Sequence, residues 1–81
     1  MKIAYLPRAL EALQEAPPSV RKAFFKQAQF LMENLQHGSL RAKEYDESKG
    51  IWQARVNRNW RFYFNIAQDT YIIRDIIPHP K

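Results

Sequence analysis

Apolar residues recur at every third or fourth position in the first half of the chain, a spacing that predicts two amphipathic helices. The first is predicted over Arg8–Ala16 and ends at Pro17-Pro18, because proline lacks an amide hydrogen and restricts the residue before it. The second is predicted over about Ser19–Gln36, with Gly38 as its left-handed C-cap. Its apolar stripe consists of Val20, Ala23, Phe24, Ala28 (or Gln27), Leu31, Met32 and Leu35. We expect the two helices to form an αα-hairpin with both apolar faces turned to one side.

The second half of the chain alternates between apolar and polar residues, which predicts strands. Two strands, Ile51–Val56 and Trp60–Ile66, are predicted to form a hairpin around Asn57-Arg58-Asn59, since asparagine tolerates left-handed backbone geometry. A third strand, Thr70–Ile77, follows the turn at Ala67-Gln68-Asp69. It is apolar on both faces, as a central strand would be.

Three further segments frame this hairpin. Pro78 and Pro80 should stop the last strand, because proline cannot donate to a strand ladder. Leu40–Tyr45 is a weaker strand candidate that would place Arg41, Lys43 and Tyr45 on one face. Ile3–Leu6 is compatible with a first strand or with the lead-in to the first helix.

An α+β fold follows, in which the αα-hairpin packs on one face of a small twisted antiparallel sheet. The side chains of the hairpin that are predicted to point toward the helices are Trp52, Ala54, Val56, Trp60, Phe62, Phe64 and Ile66. Those on the opposite face are Gln53, Arg55, Arg61, Tyr63 and Asn65. Two guanidinium groups and a phenol are therefore predicted to project from neighbouring strands onto one open surface.

Composition limits the kind of protein this is. With 81 residues and 9.7 kDa the chain forms one domain, residues 1–81, and its 46% hydrophobic and 26% charged residues argue against disorder. The absence of cysteine excludes disulfides and thiolate chemistry. Pro7 and Arg8 come too early for a signal peptide, and no apolar run approaches the length of a membrane span. We expect a soluble cytoplasmic protein with no membrane partner.

The charge of +5 favours a polyanionic or acidic partner. The acid-free stretch from Ser48 to Gln68 contains Lys49, Arg55, Arg58 and Arg61. Like charges on adjacent strands are unfavourable unless an anion lies between them. Phosphate suits this position because a guanidinium binds it through two hydrogen bonds. The alternatives are Asp75 as an internal counter-ion and a merely solvated sheet face.

Candidate catalytic chemistry is limited to few groups. His79 follows the last predicted strand and could donate a proton near neutral pH, or it is a tail residue without a role. The two histidines are far apart, and the sequence has no metal-binding motif, glycine-rich phosphate loop or nucleophile elbow. Any enzyme activity is therefore expected to need neither a metal nor a cofactor.

The order of these features resembles the RelE/ParE toxin superfamily of type II toxin–antitoxin systems. The resemblance covers nearly the whole chain and rests on the helical pair, on Arg55-Val56 leading to Trp60-Arg61-Phe62-Tyr63, and on the terminal Ile-Pro-His-Pro. It implies a microbial-RNase-like fold and neutralisation by an antitoxin that wraps the toxin. RelE-like members cleave mRNA in the ribosomal A site without a metal, whereas ParE-like members inhibit DNA gyrase.

Carried over to this chain, the resemblance implies four catalytic residues: Arg55, Arg61, Lys43 and His79. Arg55 and Arg61 would stabilise the phosphate, and His79 would be the acid. Contacts to RNA would come from Arg41, Arg58, Tyr63 and Gln53. The general base stays open among Glu44, Asp46 and Lys43.

The chain departs from the family pattern just before Arg55, where Trp52, Gln53 and Ala54 replace basic residues. A metal-independent endoribonuclease acting on ribosome-bound mRNA is the leading hypothesis. A gyrase inhibitor of the ParE type and a degenerate module that only binds RNA are the alternatives.

Overall fold

The computed structural model describes residues 1–79. In chain order its elements are β1 (Lys2–Tyr5), α1 (Pro7–Glu15), α2 (Pro18–Glu33), β2 (Lys43–Asp46), a short 3₁₀ helix (Glu47–Lys49), β3 (Ile51–Arg55), β4 (Trp60–Ala67) and β5 (Thr70–Pro78). Pro80, expected from the sequence to stop the last strand together with Pro78, lies outside the described residues. Neither helix within residues 1–79 has the length and apolar character that crossing a membrane would require.

The five strands form one sheet in the order β1-β5-β4-β3-β2. Consecutive strands from β2 to β5 pair antiparallel, whereas β1 pairs parallel with β5. The predicted α+β fold is confirmed, and the sheet is mixed rather than purely antiparallel. The parallel pairing is possible because both helices and strands β2 to β4 separate β1 from β5 along the chain, so no tight turn joins the two strands. The stretch around Ile3, undecided from the sequence, is thus a strand.

The second helix ends three residues earlier than predicted. Asn34 has an extended backbone with φ of −162°, and its side-chain oxygen accepts a hydrogen bond from the amide of Gln36 at 3.0 Å. Such local bonding of asparagine competes with helix continuation. The predicted left-handed cap at Gly38 is therefore wrong, and the glycine with positive φ is Gly50, at 65°, which ends the 3₁₀ helix.

The core lies between the helices and the face of the sheet that carries Phe62 and Phe64. Both rings are fully buried, and Phe24 of α2 meets the Phe62 ring edge-on at 5.2 Å. The largest fully buried side chains are Phe24, Phe62, Phe64, Leu31, Leu40, Ile73 and Ile76. The predicted inward direction of the hairpin's aromatic residues is confirmed.

The edges of this core differ from the prediction. Trp52 and Trp60 are half-buried and pack against the margin of the core. Ile66 and Met32 were expected to face inward and are exposed. Ile66 lies at the end of β4, next to the turn into β5, and Met32 lies on the flank of α2 in the last turn of that helix.

Candidate functional site

The sheet face opposite the helices, here called the open face, places Arg55 directly opposite Arg61 across β3 and β4. The amide of Val56 donates to the carbonyl of Trp60 at 3.0 Å, so Val56 and Trp60 form a hydrogen-bonded pair next to the two arginines. In an antiparallel ladder the intervening pair is not hydrogen-bonded, and its Cα atoms approach to about 4.5 Å. The sequence prediction that both guanidinium groups share one face is confirmed. These two residues are called the arginine pair below.

The arginine pair is held without carboxylates. Nη1 of Arg61 donates to the carbonyls of Asn57 at 2.8 Å and Trp60 at 3.0 Å. Within residues 1–79 the ion pairs are Lys2 with Asp69 and Arg8 with Asp75, neither of which includes a hairpin arginine. Burial lowers the pKa of Arg61, and the positive charge of Arg55 lowers it further. Arg55 and Arg61 thus lie opposite each other on neighbouring strands, and neither forms an ion pair with a carboxylate among residues 1–79.

The proposed internal counter-ion, Asp75, is bound elsewhere. One carboxylate oxygen accepts from Nε of Arg8 at 2.8 Å, and the other accepts from the amide of Ile76 at 2.9 Å. Asp75 lies at a bulge in β5 beyond the last residue that pairs with β1, and there α1 covers the strand. The alternative that Asp75 neutralises the arginine pair is therefore wrong.

Tyr63 is oriented by two contacts on the open face. Its hydroxyl accepts a hydrogen bond from Nε2 of Gln53 at 2.8 Å, and its ring meets Tyr45 edge-on at 5.0 Å. Gln53 is only 8% exposed and lies opposite Lys43 of β2. Lys43 therefore shares this face. The arrangement leaves Tyr63 half-buried beside the arginine pair, with Gln53 holding its hydroxyl.

Arg41 lies just before β2, which begins later than predicted. Its φ is 47°, a left-handed conformation that non-glycine residues adopt at some energetic cost. The preceding residue, Leu40, is fully buried, and its carbonyl accepts from the amide of Arg55 at 2.7 Å. The positive charge of Arg41 also lowers the pKa of Arg61.

Arg58 and His79 both lie at the loop end of the hairpin. Arg58 is exposed in the loop between β3 and β4, and the amide of His79 donates to the carbonyl of Asn59 at 2.7 Å. The structure therefore brings His79, from beyond the last strand, beside the loop that leads into Arg61. Its ring is exposed, as a proton donor to a bound substrate would need to be.

Of the three candidate bases, Lys43 lies on the open face. Glu44 pairs with Trp52, whose side chain faces the helices, so Glu44 points to the opposite side. Asp46 accepts from the Ser48 hydroxyl at 2.7 Å, and this hydrogen bond lowers the pKa of its carboxyl. A lowered pKa makes Asp46 a weaker base.

Arg74 is a further cation on the open face that the sequence pattern did not reveal. Its Nη1 donates to the side-chain oxygen of Asn65 at 2.8 Å, and the Asn65 amide donates to the carbonyls of Lys49 and Gly50. Its charge, next to Asp75 in a mainly apolar strand, was the available signal. Among residues 1–79, no three His, Asp or Glu side chains cluster so as to hold a metal ion.

No protein-family model matches this chain, and no curated protein matches it. Its fold is similar to that of solved toxin structures. The YoeB/ParE toxin from Agrobacterium tumefaciens has a TM-score of 0.82 at 12% identity, over 99% of this chain and 100% of the other. The YoeB dimer from Staphylococcus aureus has 0.80 at 16%, over 99% and 98%. The RelE–RelB complex from Pyrococcus horikoshii OT3 has 0.77 at 15%, over 95% and 92%. The resemblance to the RelE/ParE superfamily is thus confirmed in the fold: from β1 to β5 this chain is built as the RelE and YoeB toxins are.

Proposed function

We propose that this protein is the toxin of a type II toxin–antitoxin system and cleaves ribosome-bound mRNA without a metal. The observation that carries the proposal is the arginine pair, two arginines directly opposite each other on an open face with no carboxylate bound to either among residues 1–79. Opposed like charges destabilise a sheet unless an anion is bound. The RNA backbone supplies such an anion at every nucleotide.

The proposed reaction needs no group from outside the protein and the RNA. The ribose 2′-oxygen bonds to the adjacent phosphorus as the bond from phosphorus to the 5′-oxygen breaks, leaving a 2′,3′-cyclic phosphate. A base accepts the 2′-hydroxyl proton, and an acid donates one to the 5′-oxygen. Negative charge develops on the phosphoryl oxygens in the transition state, where fixed cations stabilise it most.

The site residues divide among these tasks. Arg55 and Arg61 stabilise the phosphoryl oxygens, and His79 protonates the 5′-oxygen at the loop end of the hairpin. Lys43 is the candidate base on the open face. Tyr63 stacks on a base or holds a hydroxyl group.

Other cations bind the flanking nucleotides. Arg41, just before β2, and Arg58, in the loop between β3 and β4, contact neighbouring phosphates. Gln53 contributes through the Tyr63 hydroxyl that it holds.

The proposed regulating partner is a cognate antitoxin. The Pyrococcus horikoshii toxin of the same fold was solved in complex with RelB. In this chain an antitoxin would act by covering the open face or by supplying acidic groups to its cations. The toxin–antitoxin complex would assemble in the cytoplasm, where ribosomes translate mRNA.

Expression of the protein alone in a bacterial host, with translation, mRNA ends and DNA breakage followed separately, tests this function. The proposal expects translational arrest with cleavage in the A site, and loss of toxicity in Arg61→Ala with the fold intact. An SOS response with intact mRNA would instead indicate gyrase inhibition, and a harmless protein that binds RNA would indicate a binding module. Full toxicity of Arg61→Ala would refute the site assignment.

A further inference from the structure

Gln27 is a buried amide that joins three separate parts of the chain. It lies on α2, is 7% exposed, and its Nε2 donates to the carbonyls of Ser39 at 3.0 Å and Arg55 at 2.8 Å. Its side-chain oxygen accepts from the Ser39 hydroxyl at 3.2 Å. The amide of one side chain thus connects the helix, the loop before β2 and the last residue of β3.

The backbone of Arg55 requires such a partner. Because Arg55 and Arg61 form a non-hydrogen-bonded pair, the amide and carbonyl of Arg55 point away from β4. Strand β2 begins only at Lys43, which pairs with Gln53, so no β2 residue lies opposite Arg55. The amide of Arg55 donates instead to the carbonyl of Leu40. The carbonyl of Arg55 accepts from the side-chain amide of Gln27.

The same contacts place Arg41. Gln27 holds Ser39 at the carbonyl and at the hydroxyl, and the next residue, Leu40, holds Arg55. Arg41 follows directly with its left-handed backbone. The backbone positions of Arg55 and Arg41 therefore depend on one neutral side chain that lies on the helical side of the sheet.

We propose that Gln27 is a positioning residue that fixes Arg55, and through Leu40 also Arg41, in the geometry needed for phosphate stabilisation. The inference rests on the proposed ribonuclease function. Gln27 does not touch the RNA. It acts by fixing the backbone from which the guanidinium groups extend, and small displacements of such groups reduce rates by about 100-fold.

The test compares Gln27→Met with two control variants. Methionine has nearly the same length and fills the site, but neither donates nor accepts the hydrogen bonds of the amide. Gln29→Met makes the same change on the exposed side of α2. Ile73→Val removes a methylene from a fully buried core residue and controls for lower stability without touching Arg55.

The first measurement is single-turnover cleavage of mRNA on programmed ribosomes over a range of toxin concentrations. We expect Gln27→Met to lower the maximal rate about 10- to 100-fold and to change the half-saturating concentration less than about threefold. Gln29→Met and Ile73→Val should stay within about twofold of the wild type in both quantities, because neither displaces a guanidinium group. A rate in Gln27→Met no lower than that of Ile73→Val would overturn the proposal.

The second measurement is amide hydrogen exchange and does not depend on activity. We expect the protection of the Arg55 amide to fall at least about 10-fold more in Gln27→Met than in Ile73→Val. The protection of amides in β5 should fall equally in the two variants. Equal protection of Arg55 in the two variants would refute the positioning role of Gln27. A wild-type protein that cleaves no mRNA would refute the proposed function. The hydrogen-exchange result would still decide whether Gln27 positions Arg55.

Ser39→Ala gives an independent variant should Gln27→Met fail to fold. It removes the Ser39 hydroxyl, which donates to the Gln27 oxygen and also forms a hydrogen bond with Nδ1 of His37 at 2.9 Å. We expect a loss of about two- to fivefold in maximal rate and a smaller loss of Arg55 protection, because the Gln27 amide keeps its bond to Arg55. No change in either quantity would count against the positioning role.

Discussion

The two faces of the β3–β4 hairpin are built from the same alternation and have opposite energetics. On the covered face Ala54, Phe62 and Phe64 are buried against the helices, and every contact they need is inside the protein. On the open face the arginine pair has guanidinium groups whose charge no described carboxylate compensates. The first face is complete in the isolated chain. The second, on our proposal, is completed by a bound RNA phosphate, which is the difference expected between a core and a binding surface.

The largest effect should come from the covered face. Phe62→Ala removes a fully buried ring that contacts both Phe24 and Phe64. We expect it to lower the free energy of unfolding by about 3–5 kcal/mol, which most small domains cannot lose and stay folded. Urea unfolding followed by circular dichroism measures this. A decrease below about 1 kcal/mol would show that the covered face does not hold the fold together.

A smaller decrease is expected at the margin of that face. Trp60 is half-buried and packs against the core without entering it. Trp60→Ala should lower the free energy of unfolding by about 2 kcal/mol, less than Phe62→Ala, because folding buries less apolar surface at this position. The same urea titration gives the ranking, and a reversed order of the two variants would contradict it.

The open face should affect RNA binding and its salt dependence. The slope of log affinity against log salt becomes shallower by about 0.7 for each phosphate of a single strand that the protein no longer neutralises. Arg55→Gln should reduce the slope for a 2′-O-methyl RNA by about that amount. Arg8→Gln makes the same charge change at a guanidinium bound to Asp75 and should leave the slope unchanged. Equal slopes in the two variants, measured by fluorescence anisotropy, would show that charge alone matters and position does not.

The smallest effect concerns pH. The hydrogen bond from Ser48 lowers the pKa of Asp46, so the ionised form stabilises the fold above the unfolded pKa of about 4 and this contribution is lost as pH falls through the folded value. Asp46→Asn should therefore lower stability slightly at neutral pH and flatten the stability curve between about pH 5 and pH 3. Cleavage should be unaffected. A variant without cleavage activity would make Asp46 a candidate base again.

The sequence predicted the two faces because side chains in a strand alternate strictly, and Trp60-Arg61-Phe62-Tyr63 leaves one assignment that buries the apolar rings. It did not predict the end of α2, since the turn at Asn34 depends on which local hydrogen bond wins. The sequence also did not predict the ion pair of Asp75 with Arg8, because this contact depends on the bulge in β5 and on the path of α1.

The arrangement around Gln27 could not be predicted for a related reason. Its spacing on α2 placed it as an alternative to Ala28 in the apolar stripe, and both residues are buried. Helical periodicity reports which side of a helix is covered. It does not report that a buried amide faces the free carbonyl at the end of a strand 28 residues away.

The most direct test of the central claim is the free energy of unfolding of the wild type and Arg55→Gln, each with and without a 2′-O-methyl RNA. Without RNA, Arg55→Gln should be as stable as the wild type or up to about 1 kcal/mol more stable, because a like-charge repulsion is removed. With RNA at about 100 times the wild-type Kd, the wild type should gain about 2.7 kcal/mol and the variant clearly less. A variant that is less stable alone and gains as much from RNA as the wild type would contradict the account, because Arg55 would then serve the fold and not an RNA phosphate.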